Sequence, residues 1–282
     1  MAGNAYVSRA VGQNKRSGMF LGFAAWLIGI LFIIPILWMV LTAFHSENDA
    51  AKNPPAFFAG LSTSGFSDFW AAHPTGPILN SLTASLVSTL FVLLLALPAA
   101  YALSIKPVKK WTDVMFFFLS TKFMPIVAGL LPIYLVAKNI GLLGSVWAMV
   151  IIYTAMNLPI AVWMLRSFLS EMPIEILEAS QVDGAGFFTQ MRKIIIPLVM
   201  PGLASAALIC FIFSWNELLL ANTLGGTTAQ TAPVFLTGFV TSQGLFLAKV
   251  CAASVAISLP VLIAGFAAQD KLVQGLSLGA VK

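Results

Sequence analysis

Residues 178–202 read EASQVDGAGFFTQMRKIIIPLVMPG. Two acids, Glu178 and Asp183, two bases, Arg192 and Lys193, three glycines and two prolines fall within twenty-five positions. The chain around them is 59% hydrophobic and only 9% charged, with a mean hydropathy of +0.94. A soluble domain of this length carries about a quarter charged residues. A chain this apolar buries its surface in lipid, so the stretch is a polar island in an integral membrane protein. The net charge of +5 is then read as topology rather than as a nucleic-acid footprint.

Working outward, six apolar runs are long enough to cross a hydrocarbon core, near 19–44, 80–104, 114–137, 145–166, 198–221 and 246–269. Backbone groups in lipid must be satisfied internally, which predicts an all-α protein with six helical spans. The first run follows Arg9, Lys15 and Arg16 but is far longer than a signal-peptide core, so it is expected to be an uncleaved span. This organises the chain as an N-terminal segment 1–18, a transmembrane domain 19–269 with the island in a loop 170–197, and a tail 270–282.

Orientation follows from the basic residues. With the N-terminus cytoplasmic, the inner segments hold Arg9, Lys15, Arg16, Lys106, Lys109, Lys110, Arg166, Arg192, Lys193, Lys271 and Lys282. The outer ones hold Lys52, Lys138 and Lys249, and Lys122 stays within a span. Both termini are therefore expected inside. The outer segment 45–79 carries Pro54-Pro55, aromatics and mixed charges; the inner turn 105–113 is short and basic. The outer loop 222–245, NTLGGTTAQTAPVFLTGFVTSQGL, has no charged residue, which suits contact with a neutral polar ligand or another protein. Pro125, Pro132, Pro159 and Pro260 fall inside spans and predict kinks. Cys210 and Cys251 read as small buried hydrophobes, and His45 and His73 have no third partner for a metal.

Within the island, Ser170 is an expected N-cap, with Pro173 in the first turn of a short helix. The run Asp183-Gly184-Ala185-Gly186 interrupts that helix, and Gly184 can take a conformation denied to residues with a Cβ. A helical pattern resumes from Phe187 to Ile196, and Pro197 and Pro201 stand at the entry to the fifth span. The expected product is helix, tight turn, helix, with Glu178, Asp183, Arg192 and Lys193 around an apolar ridge of Ile176, Leu177, Val182 and Phe187. Such a shape suits a plug for a groove in a soluble partner; an amphipathic linker lying on the bilayer is the other reading.

The same residues resemble the EAA loop of ABC-importer permeases: Glu178-Ala179, Asp183-Gly184-Ala185, Ile194, Pro197-Leu198 and Pro201-Gly202, between spans four and five. Ser180 departs from that pattern, where alanine is commoner. The run Phe213-Ser214-Trp215-Asn216-Glu217 resembles the carbohydrate, maltose-permease-like branch. Leu119-Ser120-Thr121-Lys122, Gly244-Leu245-Phe246 and the ending from Gly275 to Lys282 resemble polyol-type permeases.

The resemblance implies a type I importer permease in the bacterial inner membrane. Its partners would be a second permease subunit, two ATPase subunits that bind ATP and Mg²⁺, and a periplasmic solute-binding protein. Glu178, Ala179, Asp183, Gly184, Phe187 and Arg192 would couple to one ATPase, helped by the tail Leu278–Lys282. Gly225, Gly226, Thr227, Thr228 and Gln230 would belong to a loop that enters the binding protein's cleft. The chain itself has no GxxxxGK[ST] phosphate loop, so no cofactor and no catalytic residues are expected in it, and no nucleic acid.

Ionisable residues inside membranes are candidates for function by default. Lys122 lies about eight residues into the third span, roughly 12 Å from its inner end. With Tyr153, Asn157, Trp215, Asn216 and Glu217 it forms a candidate path for a sugar or polyol. Trp215 would stack on an apolar sugar face. Lys122 and Glu217 could instead pair with the second permease, and Asn216-Glu217 could cap or kink a helix. An ion-coupled secondary carrier is the competing class; it would need no coupling helix and often shows internal repeats, which this sequence lacks. A membrane enzyme would need a catalytic constellation that is absent here.

Overall fold

The structure is a computed structural model that describes residues 15–54, 57–105, 108–241 and 244–280. Arg9, Pro55, Lys106, Val281 and Lys282, all used in the sequence reading, lie outside the described residues. The architecture is helical. In chain order the helices are α1 (Lys15–Ala43), α2 (Glu47–Ala50), α3 (Ser64–Ala71), α4 (Thr75–Ser104), α5 (Trp111–Phe123), α6 (Ile126–Asn139) and α7 (Val146–Ser170). They continue as α8 (Ile174–Val182), α9 (Phe187–Gln190), a π turn (Met191–Ile195), α10 (Ile196–Leu198), α11 (Met200–Trp215), α12 (Leu219–Gly225), α13 (Ala232–Thr237) and α14 (Leu247–Ala280). Val240–Thr241 and Gly244–Leu245 are two-residue strands.

Among the described residues, four helical stretches are long and apolar enough to cross a membrane alone: Met19–Ala43, Thr75–Ser104, Val146–Ser170 and Leu247–Gln269. Two further helix pairs pass the same test only when taken together, each bent at a short break, so the count is four to six according to whether each pair is one span or a re-entrant loop. Trp111–Phe123 and Ile126–Asn139 meet at 93°, and Phe187–Leu198 and Met200–Trp215 meet at 76°. The run 114–137, expected as one span, is therefore two helices. Pro125 drives Met124 out of helical geometry, to φ −71° and ψ 126°, and brings no N–H of its own. The run expected over 198–221 likewise starts its long helix at Met200, with proline in the first turn, and ends it at Trp215.

Packing divides the chain into two units. One comprises Met1–Phe69 and Leu245–Val255. In it Ser46 caps α2, its Oγ accepting the Asp49 N–H at 3.2 Å. The Lys52 ammonium, 2.6 Å from the Asp49 carboxylate, and Ser46 hold that carboxyl below its usual range. Both Glu47 carboxylate oxygens accept backbone N–H groups at the start of α14, from Ala248 at 3.1 Å and Lys249 at 2.8 Å. That puts an anion where the helix dipole and its unpaired donors favour one. Gly65 of α3 approaches the Ala248 carbonyl so closely that a Cβ would stand 2.9 Å from the oxygen.

The other unit comprises Trp70–Gly244 and Ala256–Lys282, built on α4, α7 and α11 packed against one another. α4 buries Ser81, Ala84, Ser85, Ser88, Ala96 and Ala100 along one stripe. Small residues let helix backbones approach, the usual basis of helix packing in lipid. The core formed with Val162, Leu165 and Leu169 of α7 and Ala206 and Cys210 of α11 also takes in Leu177 of α8 and Ile195 of the π turn. Gly202 lies under the Phe168 ring: a Cβ there would stand 2.5 Å from it.

That contact is testable. Gly202→Ala is expected to cost about 1–3 kcal/mol by overpacking, read as a lower midpoint of thermal unfolding of the purified protein. In a chain already carrying Phe168→Ala, the same change should cost almost nothing further.

Candidate functional site

The island folds as a helix–turn–helix anchored on one side. α8 begins after Pro173, whose φ of −59° suits a helix entry. Ser170 is not its cap. It closes α7 instead, donating its hydroxyl to the Arg166 carbonyl at 2.8 Å, because α7 runs on to Ser170 itself. α8 stops at Val182, and the turn is closed by Asp183 N–H to Ala179 C=O at 3.0 Å, Gly184 N–H to Gln181 C=O at 3.0 Å and Ala185 N–H to Ser180 C=O at 2.9 Å. Gly184 sits at φ +78°, in the left-handed region that favours glycine at a helix C-terminus. No atom lies within 4 Å of where its Cβ would be, so the space beside it is open.

The segment has two faces. Leu177, 2% exposed, and Ile195, fully buried, point into the core. Phe187 is half-exposed, and its ring meets Tyr101 near the end of α4 edge-on at 5.6 Å. The expected ridge is thus split: Leu177 and Phe187 serve the attachment, whereas Val182 (87%) and Phe188 (85%) stand clear of it. Adjacent helical residues point about 100° apart, so one phenylalanine of the Phe187-Phe188 pair can face in while the other faces out. Phe188 is no part of the ridge expected from the sequence, yet it is the more exposed of the two rings. Glu178, Ala179, Asp183, Arg192 and Lys193 are exposed, and neither the Lys52–Asp49 nor the Lys249–Asp68 ion pair involves any of them.

A second clasp binds the neighbouring turn. The Arg166 guanidinium of α7 lies 3.8 Å above the Trp111 ring at the start of α5. Its Nε donates to the Leu103 carbonyl near the end of α4 at 3.4 Å. Arg166 had entered the sequence reading only as a topology charge; here it ties three helices together.

The six path candidates do not gather into one open site. Tyr153 and Asn157 are buried, one helical turn apart on α7. The Asn157 amide donates to Ser214 Oγ at 2.9 Å, and Ser214 Oγ pairs with Ser88 Oγ at 3.3 Å, so α7, α11 and α4 are pinned by a polar chain inside the bundle. Trp215 is 2% exposed and packs at 5.8 Å on Phe211, leaving no free face for a sugar to stack on. Asn216 is exposed and donates back to Ile212 C=O at 2.9 Å, ending α11. Glu217 caps α12 by accepting the Ala221 N–H at 3.0 Å.

Lys122 is exposed. At the end of α5 its ammonium donates to the Met156 carbonyl of α7 at 2.8 Å and lies 6.0 Å from the Phe213 ring centroid. Beside it, at the α5–α6 break, is a cavity of about 270 Å³ lined by Lys122, Met124, Gly129, Ile152 and Met156 among others. Among the described residues no three His, Cys, Asp or Glu gather into a metal site.

The stretch 222–245 is not the plain loop its composition suggested. α12 and α13 occupy much of it, fastened by Asn80 Nδ2 to Gln230 C=O at 2.9 Å and by Ala232 N–H to Ser81 Oγ at 2.7 Å. Gly225 is buried and Gln230 half-buried, while Gly226, Thr227 and Thr228 form the exposed tip, with Gly226 at φ +53°.

The family described as "Binding-protein-dependent transport system inner membrane component" matches residues 92–277. The probable ABC transporter permease protein y4oR of Sinorhizobium fredii is 35% identical over 258 residues, covering 90% of this chain and 92% of that one. The diacetylchitobiose uptake system permease protein DasC of Streptomyces coelicolor is 32% identical, covering 90% and 93%. A chain from the crystal structure of a bacterial ABC transporter for import of the acidic polysaccharide alginate superposes with a TM-score of 0.72 at 22% identity, covering 92% and 98%.

The buried placement of Asn157 separates two roles by experiment. Asn157→Leu is expected to lower stability by about 1 kcal/mol, the order of an interhelical hydrogen bond in a membrane. Asn157→Asp should cost more, because it buries an ionisable group. Chemical denaturation in detergent reads both; a change in solute affinity at unchanged stability would instead make Asn157 a solute contact.

Proposed function

Because this chain belongs to the family of binding-protein-dependent transport system inner membrane components, we propose that it forms one half of the path of an ATP-driven importer for a sugar, polyol or sugar derivative. The observation that carries the proposal is the two-faced segment 174–198. One face is buried in the core shared by α4, α7 and α11, and the other presents Val182, Phe188 and Glu178 around an open glycine turn. A segment of that form accepts force on one side and delivers it on the other.

In this reading the termini and the segment 174–198 are cytoplasmic, in accord with the distribution of Lys and Arg. Each of two ATPase subunits binds ATP and Mg²⁺, and one receives Val182 and Phe188 in a groove, with Glu178, Asp183 and Arg192 at its charged rim. Ala179 and Gly184 leave room for the groove's wall. When the ATPase pair closes, it displaces α8. Leu177, Phe187 and Ile195 pass the displacement to α4, α7 and α11, while Arg166 keeps the α4–α5 turn in step. The requirement is that the ATPase groove contacts the segment differently in its two states.

A second permease subunit completes the path. On this chain's side, Lys122 with its cavity, Asn216 and Glu217 are the candidates for solute contact, since Tyr153, Asn157 and Trp215 are enclosed. Exposed Gly226, Thr227 and Thr228 form the surface for the solute-binding protein, with Gly225 and Gln230 holding that tip in place. A carbohydrate-sized solute is supported by relatives named for diacetylchitobiose uptake and for trehalose transport and by the uncharged character of that tip.

The test is reconstitution in liposomes with the binding protein and partner subunits, measuring uptake and ATP hydrolysis. Glu178→Lys reverses the rim charge. Gly184→Asp fills the open space with a residue that tolerates the left-handed region comparatively well, so it probes room more than strain. Each is expected to lower uptake and solute-stimulated hydrolysis at least about tenfold, equivalent to about 1.4 kcal/mol, with the complex still assembled. Uptake that continues without ATP would overturn the proposal in favour of an ion-coupled carrier.

A further inference from the structure

The departure at Ser180 from the commoner alanine has a structural counterpart. Ser180 and Gln190 are buried, 7% and 4% exposed, on opposite sides of the glycine turn. The Gln190 amide donates to Ser180 Oγ at 2.8 Å and reaches the Leu177 carbonyl at 3.4 Å. Ser180 Oγ in turn donates to that same Leu177 carbonyl at 2.7 Å, and the Ser180 carbonyl receives the Ala185 N–H that closes the turn. One serine therefore joins the body of α8, the turn and the end of α9. Alanine could make only the backbone bond.

We propose that this buried Ser180–Gln190 staple is a positioning device for energy coupling. It locks α8 and α9 into one stiff body, so that Glu178 and Val182 on α8 and Phe188 on α9 meet the ATPase as a unit. A turn of four residues, two of them glycine, would otherwise act as a hinge and absorb part of the partner's stroke. Neither residue touches the partner. They act through the residues that do, and the inference rests on the coupling role proposed above for the segment.

The physical distinction is between assembly and efficiency. A hinge at Gly184 still lets Val182 and Phe188 dock, so the complex assembles and ATP is hydrolysed; what falls is solute moved per ATP. A network this buried also behaves as a pair, because removing either partner leaves the other without its function.

The experiment uses the complete reconstituted transporter with Ser180→Ala, Gln190→Leu, the double variant and Ser180→Thr. Uptake per ATP hydrolysed is expected to fall about threefold or more in each single variant, a change of roughly 0.65 kcal/mol or more by RT ln 3. The double variant should fall no further than the worse single one, and Ser180→Thr, which keeps a hydroxyl, should retain most of the wild-type ratio. Backbone hydrogen exchange over residues 183–190 in the same complexes should quicken in Ser180→Ala, which reads the stiffness even if uptake is lost entirely.

An unchanged ratio with Ser180→Ala, unchanged exchange, or losses that multiply in the double variant would overturn the staple. Glu178→Lys run in parallel separates the two layers. If it transports normally, the coupling reading and the staple fall together; if it abolishes uptake while Ser180→Ala transports as wild type, only the staple falls.

Discussion

In hydrocarbon a peptide N–H has no water to fall back on, so any chain that leaves helical geometry at membrane depth must supply a partner from its own atoms. This protein breaks its helices repeatedly, and the breaks bring side chains or carbonyls with them. Ser81 takes the N–H of Ala232 at the start of α13, Glu217 that of Ala221, and Ser145 that of Trp147. The Gly144 N–H goes to the Leu224 carbonyl at 2.7 Å, and Glu47 answers two donors at the head of α14. At the bend between α5 and α6 the break falls at Pro125, which has no N–H to satisfy.

Packing follows a second rule, that lipid offers no hydrophobic reward for bringing two spans together. Close approach has to be made attractive through backbone contact and interhelical hydrogen bonds. The small-residue stripe of α4 and the Asn157–Ser214–Ser88 chain provide both on one seam. The segment 174–198 then joins the core through Leu177 and Ile195.

How much of this the sequence discloses depends on range. Local chemistry was plain: the glycine turn at 184, the helical apolar runs and the disruption at Pro125 are each set by a few neighbouring residues. Long-range choices were not. Nothing near Ser170 says that α7 will continue through it, and nothing near Trp215 says how deeply its ring will be buried. The role of Ser180 needs Gln190, ten positions on and beyond a turn. The uncharged stretch 222–245 reads as a loop because composition records the absence of charge but not the Asn80 amide and Ser81 hydroxyl, 150 and 151 positions away, that pair with its backbone. The family resemblance rests chiefly on residues 178–202, where a local spacing of glycines, prolines and charges is enough to carry it.

The π turn at Met191–Ile195 shows what such placement requires. Phe187, against Tyr101, and fully buried Ile195 lie eight positions apart. Eight residues of uninterrupted α-helix would set them about 80° out of phase, whereas seven come within about 20° of two full turns. The wider π turn takes up the odd residue, which brings both side chains round to the same side. By the same arithmetic, a chain one residue shorter here would hold the two side chains nearly in phase with ordinary α-helix. The π turn is thus the widening by which the segment accommodates one residue more than that without turning either side chain away from the core.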